Sequence, residues 1–170
     1  MLKSARVPLL AMGAAAAAAL LPAAPAQAAV GPYAGLCEAG KSAVLARVTG
    51  FTARRGTVSV KLYASNGRFL EKGAYLRKVE VPVTGSGPVD VCVPVPASGR
   101  YAIAVRHEVG AQKSRSDGGG FSGNPKLSLL DVVMKRKPSL NAVSFQVNGS
   151  TRVVPVVLNY LQGTSVGPVA

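Results

Sequence analysis

The fold is decided by residues 99–125, which run GRYAIAVRHEVGAQKSRSDGGGFSGNP. Residues 99–108 are predicted to form a β-strand, a polar loop follows, and the motif GFSGNP closes the stretch at residues 120–125. Similar short strands recur along the chain, separated by Gly, Pro and Asn, and helical periodicity is almost absent. The pattern therefore predicts an all-β protein.

Seven strands are expected at regular spacing, and residues 58–63 show the period-two alternation of a strand with one buried face. The expected strands are 43–48, 58–63, 75–83, 89–93, 100–107, 142–147 and 152–160. We expect the first two strands to be neighbours joined by a turn at Arg54-Arg55-Gly56, and the last two to form a hairpin at Asn148-Gly149. Together they predict an antiparallel β-sandwich of about seven strands.

Three local features refine this expectation. Residues 127–136 have room for about one helical turn between Pro125 and Pro138. The run Gly118-Gly119-Gly120 is interpreted as a flexible hinge. Tyr101 is either a corner tyrosine whose hydroxyl bonds to the backbone or an ordinary packing residue.

The amino terminus has the pattern of a signal peptide. Lys3 and Arg6 precede an apolar stretch over residues 7–21, and an Ala-Gln-Ala sequence ends at Ala28. A permanent membrane anchor is the competing reading, but the apolar run is shorter than the roughly 20 residues needed to span a bilayer. We therefore expect cleavage after residue 28, a single domain over residues 29–170, no transmembrane segment in the mature chain, and a periplasmic or secreted protein.

The chain is strongly basic, with 20 Lys and Arg residues against seven Asp and Glu and a formal net charge of +13. Most of this charge is dispersed, and only Arg54-Arg55 and Lys135-Arg136-Lys137 form clusters. The charge indicates either a solvated surface or attraction to an anionic envelope component, a glycan or a lipid headgroup. Nucleic acid is disfavoured because aromatic residues are few and do not alternate with the basic ones.

The chain has two cysteines, Cys37 and Cys92. An exported chain with two thiols most often pairs them, so one disulfide is expected. A redox pair is the alternative, but catalytic dithiols usually stand as Cys-x-x-Cys near a helix start.

The order of several sequence blocks resembles the bacterial family catalogued as domain of unknown function 2141. The blocks are Gly56 with VSVKLY at 58–63, RFL at 68–70, VCV at 91–93, GRYAIAVRH at 99–107, GFSGNP at 120–125 and VVLNY at 156–160. The resemblance covers roughly the whole mature chain. It implies an exported sandwich of immunoglobulin-like or transthyretin-like type, and it implies no reaction.

The loop after residue 107 departs from typical members of that family, which carry His-Asp followed by further oxygen ligands, as in a calcium-binding loop. Here the loop offers only Glu108 and Asp117 as carboxylates, and Lys113 and Arg115 add opposing charge. Calcium needs six to eight oxygen ligands, typically with several carboxylates. We therefore expect no metal and no cofactor, and a calcium-stabilised module is the least favoured function.

His107 is the only histidine, so zinc clusters built on several histidines are excluded. It is expected to anchor the following loop by hydrogen bonds. The alternative makes it the general base of a transthyretin-like hydrolase acting on a small polar substrate, which requires a titratable partner and a cavity.

The favoured function is a non-enzymatic binding or structural module of the cell envelope. Its candidate binding loop contains His107, Glu108, Lys113, Arg115, Asp117, Phe121 and Asn124. Lys135-Arg136-Lys137 is expected to form a basic rim beside Phe121, together with Lys113 and Arg115.

Overall fold

Two β-sheets form the framework of the protein, whose computed structural model describes residues 28–169. Almost all of the predicted signal peptide lies outside the described residues. The strands are β1 Ala43–Thr49, β2 Thr57–Ala64, β3 Arg77–Pro82, β4 Val89–Pro94, β5 Gly99–Glu108, β6 Gly118–Phe121, β7 Phe145–Val147, β8 Arg152–Val157, β9 Tyr160–Gln162 and β10 Ser165–Gly167. The helices are α1 Ala34–Glu38, α2 Leu129–Val133 and α3 Leu140–Val143. Within residues 28–169, no helix has the length and apolar character needed to cross a bilayer.

The two sheets form the predicted all-β sandwich, with ten described strands where seven were expected. One sheet has the order β4-β1-β8, and the other has the order β3-β2-β5-β6, with β7 also pairing with β5. Neighbouring strands are antiparallel except β1 and β8, which run parallel. A short antiparallel hairpin of β9 and β10 completes the described strands.

Two predicted strand pairings are wrong. β1 pairs with β4 and β8, whereas β2 pairs with β3 and β5, so the segment with Arg54-Arg55-Gly56 crosses between the sheets. Likewise β7 pairs with β5 and β8 with β1, so Asn148-Gly149 joins the two sheets and makes no hairpin. In both cases the buried side chains of consecutive strands meet across the core, which strands of opposite sheets achieve and hairpin partners do not.

The alternation of buried residues explains how the sheets pack. In β2, Val58, Val60 and Leu62 face the other sheet and belong to a core that contains residues of both sheets. Tyr63 points to the outer face, where it forms a smaller cluster with Phe69, Ala102 and Val143. The five-stranded sheet is therefore covered on both faces.

Strand β4 is connected to its neighbours by a disulfide bond and by a salt bridge. The sulfur atoms of Cys37 and Cys92 lie 2.01 Å apart, at the distance of a disulfide bond, and connect α1 to β4. On the neighbouring strand β1, Arg47 Nε and Nη2 donate to the two carboxylate oxygens of buried Asp90 at 3.0 and 2.8 Å. A cross-link of this loop length contributes roughly 4 kcal/mol to stability in the chain-entropy model.

Tyr101 forms a tyrosine corner. Its ring is buried, and its hydroxyl donates to the carbonyl oxygen of Ala97 at 2.7 Å. This bond fixes the turn that leads into β5.

The expected glycine hinge is instead the strand β6, which brings the edges of the two sheets together. Gly119 and Asn159 exchange two backbone hydrogen bonds of 2.9 and 2.8 Å. A Cβ atom on Gly118 would lie 2.4 Å from the ring of Tyr160, and one on Gly120 would lie 2.7 Å from the backbone oxygen of Val157. The glycines are therefore required by close approach between strands.

We predict that Gly120→Ala lowers the free energy of unfolding by about 2 kcal/mol, because its Cβ has to displace backbone and a packed valine. Urea unfolding followed by circular dichroism measures the change. The control is Gly110→Ala, whose added Cβ meets nothing within 4 Å in the described chain and should change stability by less than about 0.5 kcal/mol. Equal stability of the two variants would contradict the close packing of β6.

Candidate functional site

Asp117 organises the loop between β5 and β6. Its side chain is 6% exposed, and it accepts hydrogen bonds from Arg106 Nη2 at 2.8 Å, from the Val109 backbone at 3.2 Å, and from the Ser114 backbone and hydroxyl. Burial raises the pKa of Asp117, but the bonds from Arg106, Ser114 and Val109 outweigh it, and the pKa is lowered. The contribution of Asp117 to stability is thus complete at pH values above the range in which a carboxyl group usually titrates. It is lost as pH falls through the lowered pKa.

Both carboxylates of this loop are occupied by the same arginine. Glu108 Oε1 lies 3.0 Å from Arg106 Nε, and Asp117 binds the other end of the guanidinium. Within residues 28–169, no group of three or more His, Cys, Asp or Glu side chains is placed to hold a metal ion. The two carboxylates therefore act as internal partners of Arg106.

His107 is fully buried, and both ring nitrogens have partners. Nε2 lies 2.8 Å from the carbonyl oxygen of Arg55, and Nδ1 lies 2.6 Å from the hydroxyl of Tyr160. Because a carbonyl only accepts, Nε2 carries the hydrogen, and in the neutral ring Nδ1 accepts from the tyrosine hydroxyl. The Phe51 ring packs edge-on at 5.1 Å. His107 therefore joins β5 to the crossing segment and to β9.

Tyr160 is the second half of this connection. Burial raises the pKa of its hydroxyl, and hydrogen bonds with the Thr52 side chain and backbone lower it to a lesser extent, so the net shift is upward. Its ring lies against Gly118, where no side chain would fit. The hydroxyl thus stays protonated and able to donate to His107.

The motif at residues 120–125 ties β6 to its neighbours. Asn124 Oδ1 accepts from the Val157 backbone at 2.7 Å, and Asn124 Nδ2 donates to the Pro155 carbonyl at 3.3 Å. Buried Ser122 accepts from the Ile103 backbone at 3.0 Å and donates to the Val143 carbonyl. Asn124, expected in the binding loop, is thus engaged with the backbone of β8.

A cavity of about 440 Å³ lies where β6, the segment 127–137 and the β9–β10 hairpin meet. Its apolar lining contains Leu70, Phe121, Leu127, Val132, Leu161 and Val166. Its polar lining contains Asp117, Asp131, Lys135, Arg136, Lys137 and Asn159. Phe121 is fixed by an edge-on contact with Phe69 at 6.1 Å. The arrangement is an apolar cavity bordered by three consecutive cations.

The segment that carries those cations has its own local support. Ser128 caps α2 in a capping box with Asp131, each side chain accepting from the other residue's backbone N–H. The Ser128 hydroxyl and the Ser128 backbone N–H both donate to the Asp131 carboxylate and lower its pKa, the hydroxyl having the larger effect. Arg136 adds a weaker ion pair at 4.0 Å. Lys135 adopts a φ of +52° and turns the chain after the helix. The helical turn expected over 127–136 is present as α2.

Only part of the predicted basic rim comes together. Phe121 and Lys135-Arg136-Lys137 border the same cavity, as expected. Arg115 borders a neighbouring cavity of about 450 Å³ beside Arg55, on the other side of Tyr160, and Lys113 is exposed and lines neither of these two cavities. The wall made by β9 and β10 was not predicted, because strands of three residues carry almost no periodic signal.

The part of the chain that contains most of these elements matches a known protein family. A family model described as "Uncharacterized protein conserved in bacteria (DUF2141)" matches residues 46–154, more than half of the chain. No curated protein and no solved structure matches the chain. The matched range includes β2 to β7 and α2, and it ends before the β9–β10 wall of the cavity.

We predict that His107→Gln and Tyr160→Phe each lower the free energy of unfolding by about 1–3 kcal/mol, because each leaves a buried polar partner unsatisfied. The double variant should lose clearly less than the sum, since the two side chains bind each other. Urea unfolding of the four proteins measures this coupling. Tyr75→Phe, at an exposed tyrosine, is the control and should change stability by less than about 0.5 kcal/mol. Strict additivity would show that His107 and Tyr160 do not interact.

Proposed function

The chain belongs to the bacterial DUF2141 family, and from that premise we propose that it is a non-enzymatic binding module of the cell envelope for an anionic molecule with an apolar portion. The observation that carries the proposal is the apolar cavity beneath Lys135, Arg136 and Lys137. Binding sites for small molecules are typically concave, about 300–1,000 Å³ in volume, and mostly apolar with a few orienting polar groups. The cavity has these properties.

The charge around the cavity supports an anionic ligand. Its two carboxylates already have partners: Asp117 binds Arg106, and Asp131 closes the α2 capping box beside Arg136. Lys135 and Lys137 are exposed and are not offset by a further carboxylate of the cavity lining. A ligand whose anionic group meets these cations while its apolar part fills the cavity satisfies both halves of the lining. Of the two expected envelope partners, a lipid-like molecule suits this lining better than a purely polar glycan.

The envelope assignment has two supports. The cysteine sulfurs at bonding distance suit an oxidising compartment, and the predicted signal peptide directs export. We accordingly propose that the mature protein works in the periplasm or outside the cell.

The hydrolase alternative assigns His107 as general base. In the structure this ring is buried, both nitrogens are hydrogen-bonded within the protein, and neither of the two cavities beside Tyr160 includes it in the lining. A general base has to reach the proton it removes directly or through one water. We therefore favour the anchoring role for His107.

We predict that laurate raises the melting temperature of the protein, whereas lauryl alcohol, laurylamine and polygalacturonate do not. Laurate alone combines an apolar chain with a carboxylate, and preferential binding to the folded state raises stability. Thermal unfolding by circular dichroism with each probe measures the effect. The variant Lys135→Gln/Arg136→Gln/Lys137→Gln should lose most of the laurate shift.

The matched control is Lys41→Gln/Lys72→Gln/Arg152→Gln, which removes the same charge from exposed sites outside this cavity. It should keep the full shift. A laurate shift that the two triple variants lose equally, or no shift with laurate at all, would contradict the proposal. A shift with polygalacturonate and none with laurate would show that the cations act without the cavity.

A further inference from the structure

The face of α2 that points away from the cavity carries the most exposed apolar group of the described residues. Leu130 is 55% exposed, Val133 65% and Met134 60%. Their spacing of three and four residues places them on one side of the helical turn. These three residues, here called the apolar tip, are absent from the lining of the cavity, which takes Leu127 and Val132 from the same segment. The apolar tip is therefore a separate surface.

The apolar tip is followed directly by Lys135, Arg136 and Lys137, all exposed. Exposed apolar residues beside a cluster of basic ones are the pattern of surfaces that rest on anionic bilayers, where the apolar groups enter the interface and the cations meet the headgroups. The capping box of Ser128 and Asp131 supports the turn locally, and none of the residues of α2 is buried in the described structure. The tip thus has no packing role that would explain its composition.

The charges of the chain argue against a second copy as the partner. All seven Asp and Glu residues lie within the described residues, and six of them form ion pairs in the same chain: Glu71, Glu80, Asp90, Glu108, Asp117 and Asp131. A self-complementary interface would have to supply free carboxylates to residues 135–137. The chain has no group of free carboxylates for this purpose, and the partner is therefore better explained as an external anionic surface.

We propose that the apolar tip and the adjoining cations dock the protein on an anionic phospholipid bilayer. This inference goes beyond the proposed function, because the tip lies outside the cavity and docking needs no ligand there.

The test is co-sedimentation of the purified mature protein with vesicles of phosphatidylglycerol and phosphatidylcholine, compared with phosphatidylcholine alone. Binding is expected to the anionic vesicles only, and to weaken as salt is raised. The variant Leu130→Ser/Val133→Ser/Met134→Ser should reduce the bound fraction by at least about tenfold, because serine removes the groups that enter the interface. The control Leu36→Ser/Val153→Ser changes apolar residues exposed elsewhere and should bind like the unmodified protein.

Three results would overturn the proposal. One is the lack of binding to anionic vesicles, and another is binding that the triple serine variant keeps, which would be attraction of charge alone. The third is concentration-dependent self-association that the same variant abolishes, which would make a second copy the partner. The laurate shift should persist in the triple serine variant, so failure of docking and failure of the cavity proposal are distinguished.

Discussion

The site depends on one steric constraint, the approach of β6 to β8 and β9. Gly118 and Gly120 lie so close to Tyr160 and Val157 that a side chain at either position would overlap its neighbour. This approach allows the backbone bonds between Gly119 and Asn159 that join the edges of the two sheets. With its inward positions restricted to glycine, β6 presents Phe121 on the outer face, where it becomes part of the cavity lining.

The polar residues near this junction serve the fold. His107 joins β5 to Tyr160 and Arg55 by hydrogen bonds. Asp117 accepts hydrogen bonds from Arg106 and from the backbone of its loop. These bonds are buried or partly buried, and leaving a buried partner unsatisfied is costly. The most distinctive stretch of the sequence, residues 99–125, is therefore explained by architecture, and the surfaces proposed for binding lie mainly on the less patterned segment 127–137.

The alternation of apolar and polar residues was sufficient to predict the sandwich and the central strands, because a strand with one buried face has apolar residues at every second position. Strand pairing was not predictable in the same way, since β1 and β2 have similar patterns whether they share a sheet or face each other. The hinge interpretation of residues 118–120 failed because the residues that require glycine there, Tyr160 and Val157, are distant in sequence. The bonds of Asp117 to Arg106 and of Asn124 to the β8 backbone were not predictable, because a polar residue looks the same in sequence whether its partner lies in the protein or is a ligand. Phe121 and residues 135–137 were correctly grouped because they lie close along the chain.

The cavity between β6, α2 and the β9–β10 hairpin is the proposed ligand site. Amide chemical-shift mapping by NMR during a titration with laurate tests it most directly. We predict binding in this cavity, with saturable shifts concentrated at five residues that represent all its walls: Gly119, Phe121, Val132, Leu161 and Val166. Shifts that are confined to the sheet of β4, β1 and β8, or that spread evenly over the chain, would contradict it.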